Sequence, residues 1–266
     1  MNSVRVDLSG QAAVITGSTS GIGAALAEGL AKNGAHIVLN GLGDASDIET
    51  LRARLAEQYG IKAFYHPANM LKPDEIEDLI AFAAHELGRL DILINNAGIQ
   101  HVSPVDAFPA DKWDAIIGIN LTSAFHTIKH AAPVMKAQRY GRIINIASVH
   151  ALRASPFKAA YVAAKHGVLG LTKTVALEVA ENGITANCIN PGYVKTPLVE
   201  NQIADTARVR GISEEDVVRD VLLSAQPTRT FITYDQLIGA LLYLVSSDGG
   251  NVNGHAITVD GGWTAR

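Results

Sequence analysis

Cysteine is almost absent from the sequence: Cys188 stands alone among 266 residues. No disulfide can close within the chain, a usage that fits a reducing compartment. An excess of positive charge is missing too. Lys and Arg number 22 against 26 Asp and Glu, giving a net charge of −4, and the basic residues are scattered rather than gathered in a stripe. That surface argues against nucleic acid as a partner. No run is apolar enough to span a bilayer; the uncharged stretch GQAAVITGSTSGIGAALA (10–27) is too rich in Gly, Ser and Thr. The first ten residues hold Arg5 and Asp7 and lead into no apolar core, so no secretory leader is expected. His, Cys and acidic residues form no cluster with metal-ligand spacing, so no metal is expected. Together these absences predict a soluble, cytoplasmic protein with no membrane partner.

What is present is a chain with 48% hydrophobic residues, long enough to bury a sizeable core. Short β-like runs at 12–16, 36–40, 62–66, 91–94, 142–147, 184–189 and 255–259 alternate with helical patterns at 22–33, 46–59, 73–87, 111–136 and 156–181. Alternation of this kind predicts an α/β fold with a doubly wound parallel sheet. No repeat or linker interrupts it, so one domain is expected over 1–266. One segment breaks the rhythm: 198–226 is helical in pattern but richly charged. An insertion there is expected to lie over the carboxyl ends of the strands as a substrate lid.

After the first strand comes TGSTSGIG, with Gly17, Gly21 and Gly23. Glycines at a strand-to-helix turn let the backbone approach a pyrophosphate, and the helix N-terminus supplies N–H donors. A dinucleotide is the expected ligand. Strand two ends in NGLGDAS, and no Lys or Arg stands in the glycine loop or just after that strand to clamp a 2′-phosphate. NAD is therefore expected rather than NADP.

The segment SVHALRASPFKAAYVAAK (148–165) holds four basic side chains and a tyrosine but no acid. Ser155 and Pro156 read as the start of a helix. At helical spacing Lys158, Tyr161 and Lys165 share one face within an arc of about 60°. A lysine one turn from a tyrosine favours the phenolate, which is how a phenol becomes a general acid/base.

This pair accompanies the glycine loop, NNAG (95–98), Asn120 in GINLTSAF, Ser148, and NPGYVKTP (190–197). The ordered set resembles the classical short-chain dehydrogenase/reductases over essentially the whole chain. The resemblance implies a Rossmann-like sheet, usually seven-stranded, and a homotetramer. It implies catalytic roles for Asn120 (proton relay), Ser148 (carbonyl orientation), Tyr161 (proton exchange) and Lys165 (tyrosine activation, ribose binding). It implies cofactor contacts from Gly17, Ser20, Ile22, Asn96, Gly98, Pro191 and Thr196. Asn69 stands where an adenine-binding Asp is common; its amide oxygen can accept the same bond.

Two cationic or hydrogen-bonding residues and two amides remain, Gln100, His150, Lys158 and Gln202, a set that suits a small carboxylate. With NAGIQH, TPLVENQI and DGGWTAR, they make the chain similar to family members acting on (R)-3-hydroxybutyrate and acetoacetate. That likeness implies that these four residues hold the substrate carboxylate and that Trp263 lies near the pocket. Tyr193 departs from the Trp common there. Competing expectations are a 3-oxoacyl thioester reductase of the same family and a dinucleotide-sensing protein without turnover. Arg153 has no assigned role.

Overall fold

The computed structural model describes residues 6–265; Arg5 of the amino-terminal segment and Arg266 of DGGWTAR lie outside them. Seven parallel strands form one sheet in the order β3-β2-β1-β4-β5-β6-β7. They are β1 (Ala12–Ile15), β2 (His36–Asn40), β3 (Ala63–His66), β4 (Ile92–Asn95), β5 (Gly141–Ile146), β6 (Ile184–Pro191) and β7 (Ala256–Val259). The central strands are buried throughout, which is why they read as near-continuous apolar runs. Helices cover both faces: α1 (Gly21–Lys32), α2 (Ala45–Tyr59), α3 (Pro73–Leu87), α4 (Ala110–Ile117), α5 (Ser123–Gln138), α6 (Ala159–Val179), α7 (Pro197–Arg210) and α8 (Tyr234–Val245). One apolar core joins β1 and β2 to α1 and α8; the other packs β4 and β5 against α3, α5 and α6. Among the described residues no helix is long and apolar enough to cross a membrane.

Strand order reverses between β1 and β4, and open α/β sheets bind ligands in the crevice outside such a reversal. All seven expected strands are found, within about two residues at each end. Two helical expectations need correction. The segment 111–136 is split by a π turn at Gly118–Thr122, which carries Asn120. The helix expected from Pro156 begins at Ala159 instead. Phe157 adopts a left-handed backbone (φ 69°), and its carbonyl accepts the Ser103 N–H at 3.0 Å. The expected lid resolves into α7, one continuous helix, and a shorter helical stretch over 214–225.

At the opposite end of the sheet, Asp91 ties three strands together. Its fully buried carboxylate accepts the Ala12 N–H at 2.8 Å and both nitrogens of a bidentate Arg89, while its backbone oxygen accepts the Arg142 N–H. Replacing Asp91 by Ala leaves a buried N–H and a cation unpaired. The expected outcome is a loss of about 2–3 kcal/mol in urea denaturation. An unchanged transition midpoint would refute the role of this knot.

Candidate active site

The glycine loop closes against β4. Asn96 donates from its amide to the carbonyls of Thr16 and Gly17 at 3.0 and 2.9 Å, and Thr16 Oγ1 accepts the Asn96 and Ala97 N–H groups. Gly17 has φ 62°, and a Cβ there would lie 2.8 Å from the Ala97 backbone, so only glycine fits. Ser20 is exposed and caps α1 by position, with its helix N-terminus facing a cavity of about 370 Å³. Gly17, Ser20, Ile22, Asn69, Asn96, Gly98, Ser148, Tyr161, Lys165, Pro191 and Thr196 all line that cavity. A glycine cradle beside a helix N-terminus at the switch point fits a dinucleotide.

The cavity rim explains several residues that the sequence left open. Asn40 is fully buried and donates to the carbonyls of His66 and Ala68. It braces the turn after β3. Asp44 caps α2, accepting from the Ser46 and Asp47 N–H groups. Asn69 Oδ1 accepts the Leu71 N–H at 2.9 Å. Lys165 is the one Lys or Arg among the cavity's lining residues, and Arg52 is paired elsewhere with Glu49.

Ser148 ends the loop after β5. Its Oγ accepts the His150 N–H at 3.1 Å and meets His150 Nδ1 at 3.3 Å. Tyr161 and Lys165 lie one turn apart on α6, with Lys165 Nζ 5.5 Å from the Tyr161 ring centroid. That lysine donates to the Ile146 carbonyl at 2.7 Å. The expected lowering of the tyrosine pKa by Lys165 does not prevail here. Burial pushes Tyr161 up to about 12, and the neighbouring Ser148 hydroxyl opposes the rise only in part. Burial also brings Lys165 down to about 8. Asn120 uses both ends of its amide on Ile99, accepting its N–H at 2.8 Å and donating to its carbonyl at 2.9 Å. Its side chain is therefore a brace for the segment around Gly98.

Lys158 does not share the face of Tyr161 and Lys165. With the helix starting at Ala159, three residues later than expected, it becomes the N-cap, and its side chain enters a second cavity of about 190 Å³. Gln202, Tyr193 and Trp263 line the same cavity. So do Thr206 and Arg210, which sequence reasoning passed over; the signal was their i, i+4, i+8 spacing from Gln202 on α7. Burial, with a further contribution from Arg210, lowers the Lys158 pKa to about 7. His150 lines neither cavity, but its ring meets Tyr161 at 5.8 Å and Trp263 at 5.4 Å, both edge-on. Burial, then the Lys158 charge, holds its pKa well below the ordinary imidazole value. His150 Nε2, Gln202 Nε2 and Gln100 Nε2 are buried without a hydrogen-bond partner. Gln100 lines neither cavity. Arg153 donates to the Thr264 carbonyl at 3.3 Å and so braces the loop that carries Trp263. Among the described residues no group of His, Cys or acids could hold a metal.

Comparison with known proteins agrees with this geometry. The chain is 57% identical over 254 residues to the D-beta-hydroxybutyrate dehydrogenase of Rhizobium meliloti, covering 96% of this chain and 98% of that one. It is 50% identical over 260 residues to the enzyme of the same name from Cupriavidus necator, covering 97% and 100%. The crystal structure of levodione reductase superposes with a TM-score of 0.89 at 29% identity, covering 97% and 98%. A family model described as short chain dehydrogenase matches residues 11–207. That match runs from just before β1 into α7, and the chain therefore belongs to the short chain dehydrogenase family.

Proposed function

We propose that the protein interconverts (R)-3-hydroxybutyrate and acetoacetate with NAD as cofactor. The observation that carries this reading is the second cavity: buried Lys158 and Gln202, with Arg210 as a second cation against the single acid Asp220, and the His150 ring edge-on to both Trp263 and Tyr161. A carboxylate arriving there restores full charge to Lys158 and occupies buried N–H groups that otherwise have no partner. The two similar D-beta-hydroxybutyrate dehydrogenases support the same substrate. A thioester would leave these groups unused, and neither relative favours a reductase of that kind or a protein without turnover.

Gly17, Ser20, Ile22, Asn69, Asn96, Gly98, Pro191 and Thr196 would hold the dinucleotide, with Tyr161 and Lys165 beside its nicotinamide ribose. When bound and oxidised it supplies the hydride acceptor and a positive charge that favours the phenolate. In the reductive direction the Tyr161 phenol donates its proton to the substrate oxygen at C3. In the oxidative direction it takes that proton from the hydroxyl. The His150 N–H holds the Ser148 hydroxyl so that it can hydrogen-bond the same oxygen. Lys158 and Gln202 fix the carboxylate from the cavity wall, the family likeness adds Gln100 and His150 to them, and Trp263 backs the His150 ring. Anchoring the acid at one end and the oxygen at the other sets which face of C3 meets the cofactor. Asn120 acts by holding the backbone at Ile99 beside the cofactor cavity. The exposed Trp113, Phe125 and Leu177 on α4, α5 and α6 support the homotetramer that the family likeness suggests.

Three measurements test this reading. Tyr161→Phe is expected to lower kcat at least about a hundredfold; full turnover would sink the mechanism. Lys158→Ala is expected to raise the KM for acetoacetate about 30-fold, with a far smaller change in the Kd for NADH. Equal loss of both affinities would contradict the clamp. With no Lys or Arg other than Lys165 among the described residues lining the cofactor cavity, NADH is expected to exceed NADPH in kcat/KM by at least about tenfold. A preference for NADPH would overturn the cofactor assignment.

A further inference from the structure

Lys158 and Gln202 meet at a side chain that the scheme above leaves idle. Tyr193 follows β6, is 7% exposed, and has its backbone pinned on both sides: its N–H donates to Gln226 Oε1 and its carbonyl accepts the Ile232 N–H. Its ring stacks on Trp263 with centroids 5.2 Å apart and planes 21° apart. Its hydroxyl accepts a hydrogen bond from Lys158 Nζ at 3.2 Å and lies beside the Gln202 side chain. A phenylalanine would fill the same space, so the hydroxyl itself needs a reason. Burying a phenolic O–H without a partner is costly. Its oxygen receives the Lys158 bond and meets the Gln202 amide, which leaves its own proton to be given to a ligand. Burial pushes the phenol up to about 12, so it is a hydrogen-bond donor at neutral pH.

We propose that Tyr193 is a further specificity-determining residue of the acid site, donating its hydroxyl proton to the substrate carboxylate and holding the Lys158 ammonium against it. The inference rests on the carboxylate reading given under Proposed function. An ionised carboxylate offers about four acceptor sites. Lys158 Nζ, the unpartnered Gln202 and His150 nitrogens and the Tyr193 hydroxyl are gathered around Trp263 to meet them. The ionisable groups facing Lys158 are Tyr193 after β6, Arg210 on α7, Asp220 on the 214–225 stretch and His150 in the loop after β5. Of these, Tyr193 is the one seen to touch the ammonium, and accepting a bond from it favours the charged form.

The test is Tyr193→Phe in the holoenzyme, with acetoacetate and 2-pentanone as substrates over a range of pH. Lys158 is an ammonium below its pKa of about 7, so kcat/KM for acetoacetate falls as pH rises through that value. The expected result has two parts. The preference for acetoacetate over the neutral ketone drops about tenfold, and the alkaline fall moves about one unit lower because the ammonium has lost its acceptor. A variant with the same preference and the same pH profile as the parent overturns the inference alone. So does equal loss on both substrates, which is what a packing role would give. A parent enzyme that prefers the neutral ketone overturns the carboxylate reading, and the inference with it.

Discussion

Two lysines, Lys158 and Lys165, lie inside the protein, 6% and 4% exposed, and among the described residues neither forms an ion pair. Burial of an ammonium without a counter-ion disfavours its charge, and both are pulled down, to about 7 and about 8. The surroundings are arranged around that constraint. Lys165 is tethered to the Ile146 carbonyl at the end of β5, and Lys158 to the Tyr193 hydroxyl. One begins α6 and the other sits on its second turn, so a single helix start sets both. The chain keeps two cations half-satisfied in neighbouring cavities, and ligands of opposite character complete them.

Around this, asparagines do the joining. Asn96 ties the glycine loop to β4, Asn40 ties β2 to the turn after β3, and Asn120 holds Ile99 with both ends of its amide. Each presents a donor and an acceptor without a charge, so it can be buried at a crevice where a carboxylate would compete with an anionic ligand. The result is a cofactor cradle held by neutral hydrogen bonds, with the nearby cation reserved for chemistry.

Much of this was legible in the sequence. Apolar runs such as AAVI and ILIN are short, buried on both faces and bounded by turn residues, and so were read as parallel strands. The order of the glycine loop, Ser148, Tyr161 and Lys165 pointed to the family that the comparisons show, and Gly17, Ser148, Tyr161 and Lys165 line one cavity. What escaped depended on backbone conformation or on partners distant in the chain. Phe157 takes a left-handed φ that is rare for a residue with a Cβ, and this moved the helix start and sent Lys158 into another cavity. The π turn at Gly118–Thr122 has no periodicity signature, so 111–136 read as one helix. The bracing role of Asn40 escaped because its partners, His66 and Ala68, lie a whole strand away. Arg153 was opaque for the same reason: Thr264 lies at the far end of the sequence.

Helix α7 forms part of the wall of both cavities. Its N-cap Thr196 and its residues Pro197 and Val199 border the first cavity, while Gln202, Thr206 and Arg210 border the second. A ligand that restrains one end of a rigid rod also restrains the other. With cofactor and acid bound as proposed, ordering of the first turn by one would lower the entropy still to be lost when the other settles against the later turns. Thermodynamic linkage would make the effect mutual, each ligand tightening the hold on the other by the same factor. The fourteen residues of this helix would then carry both binding events on a single rod.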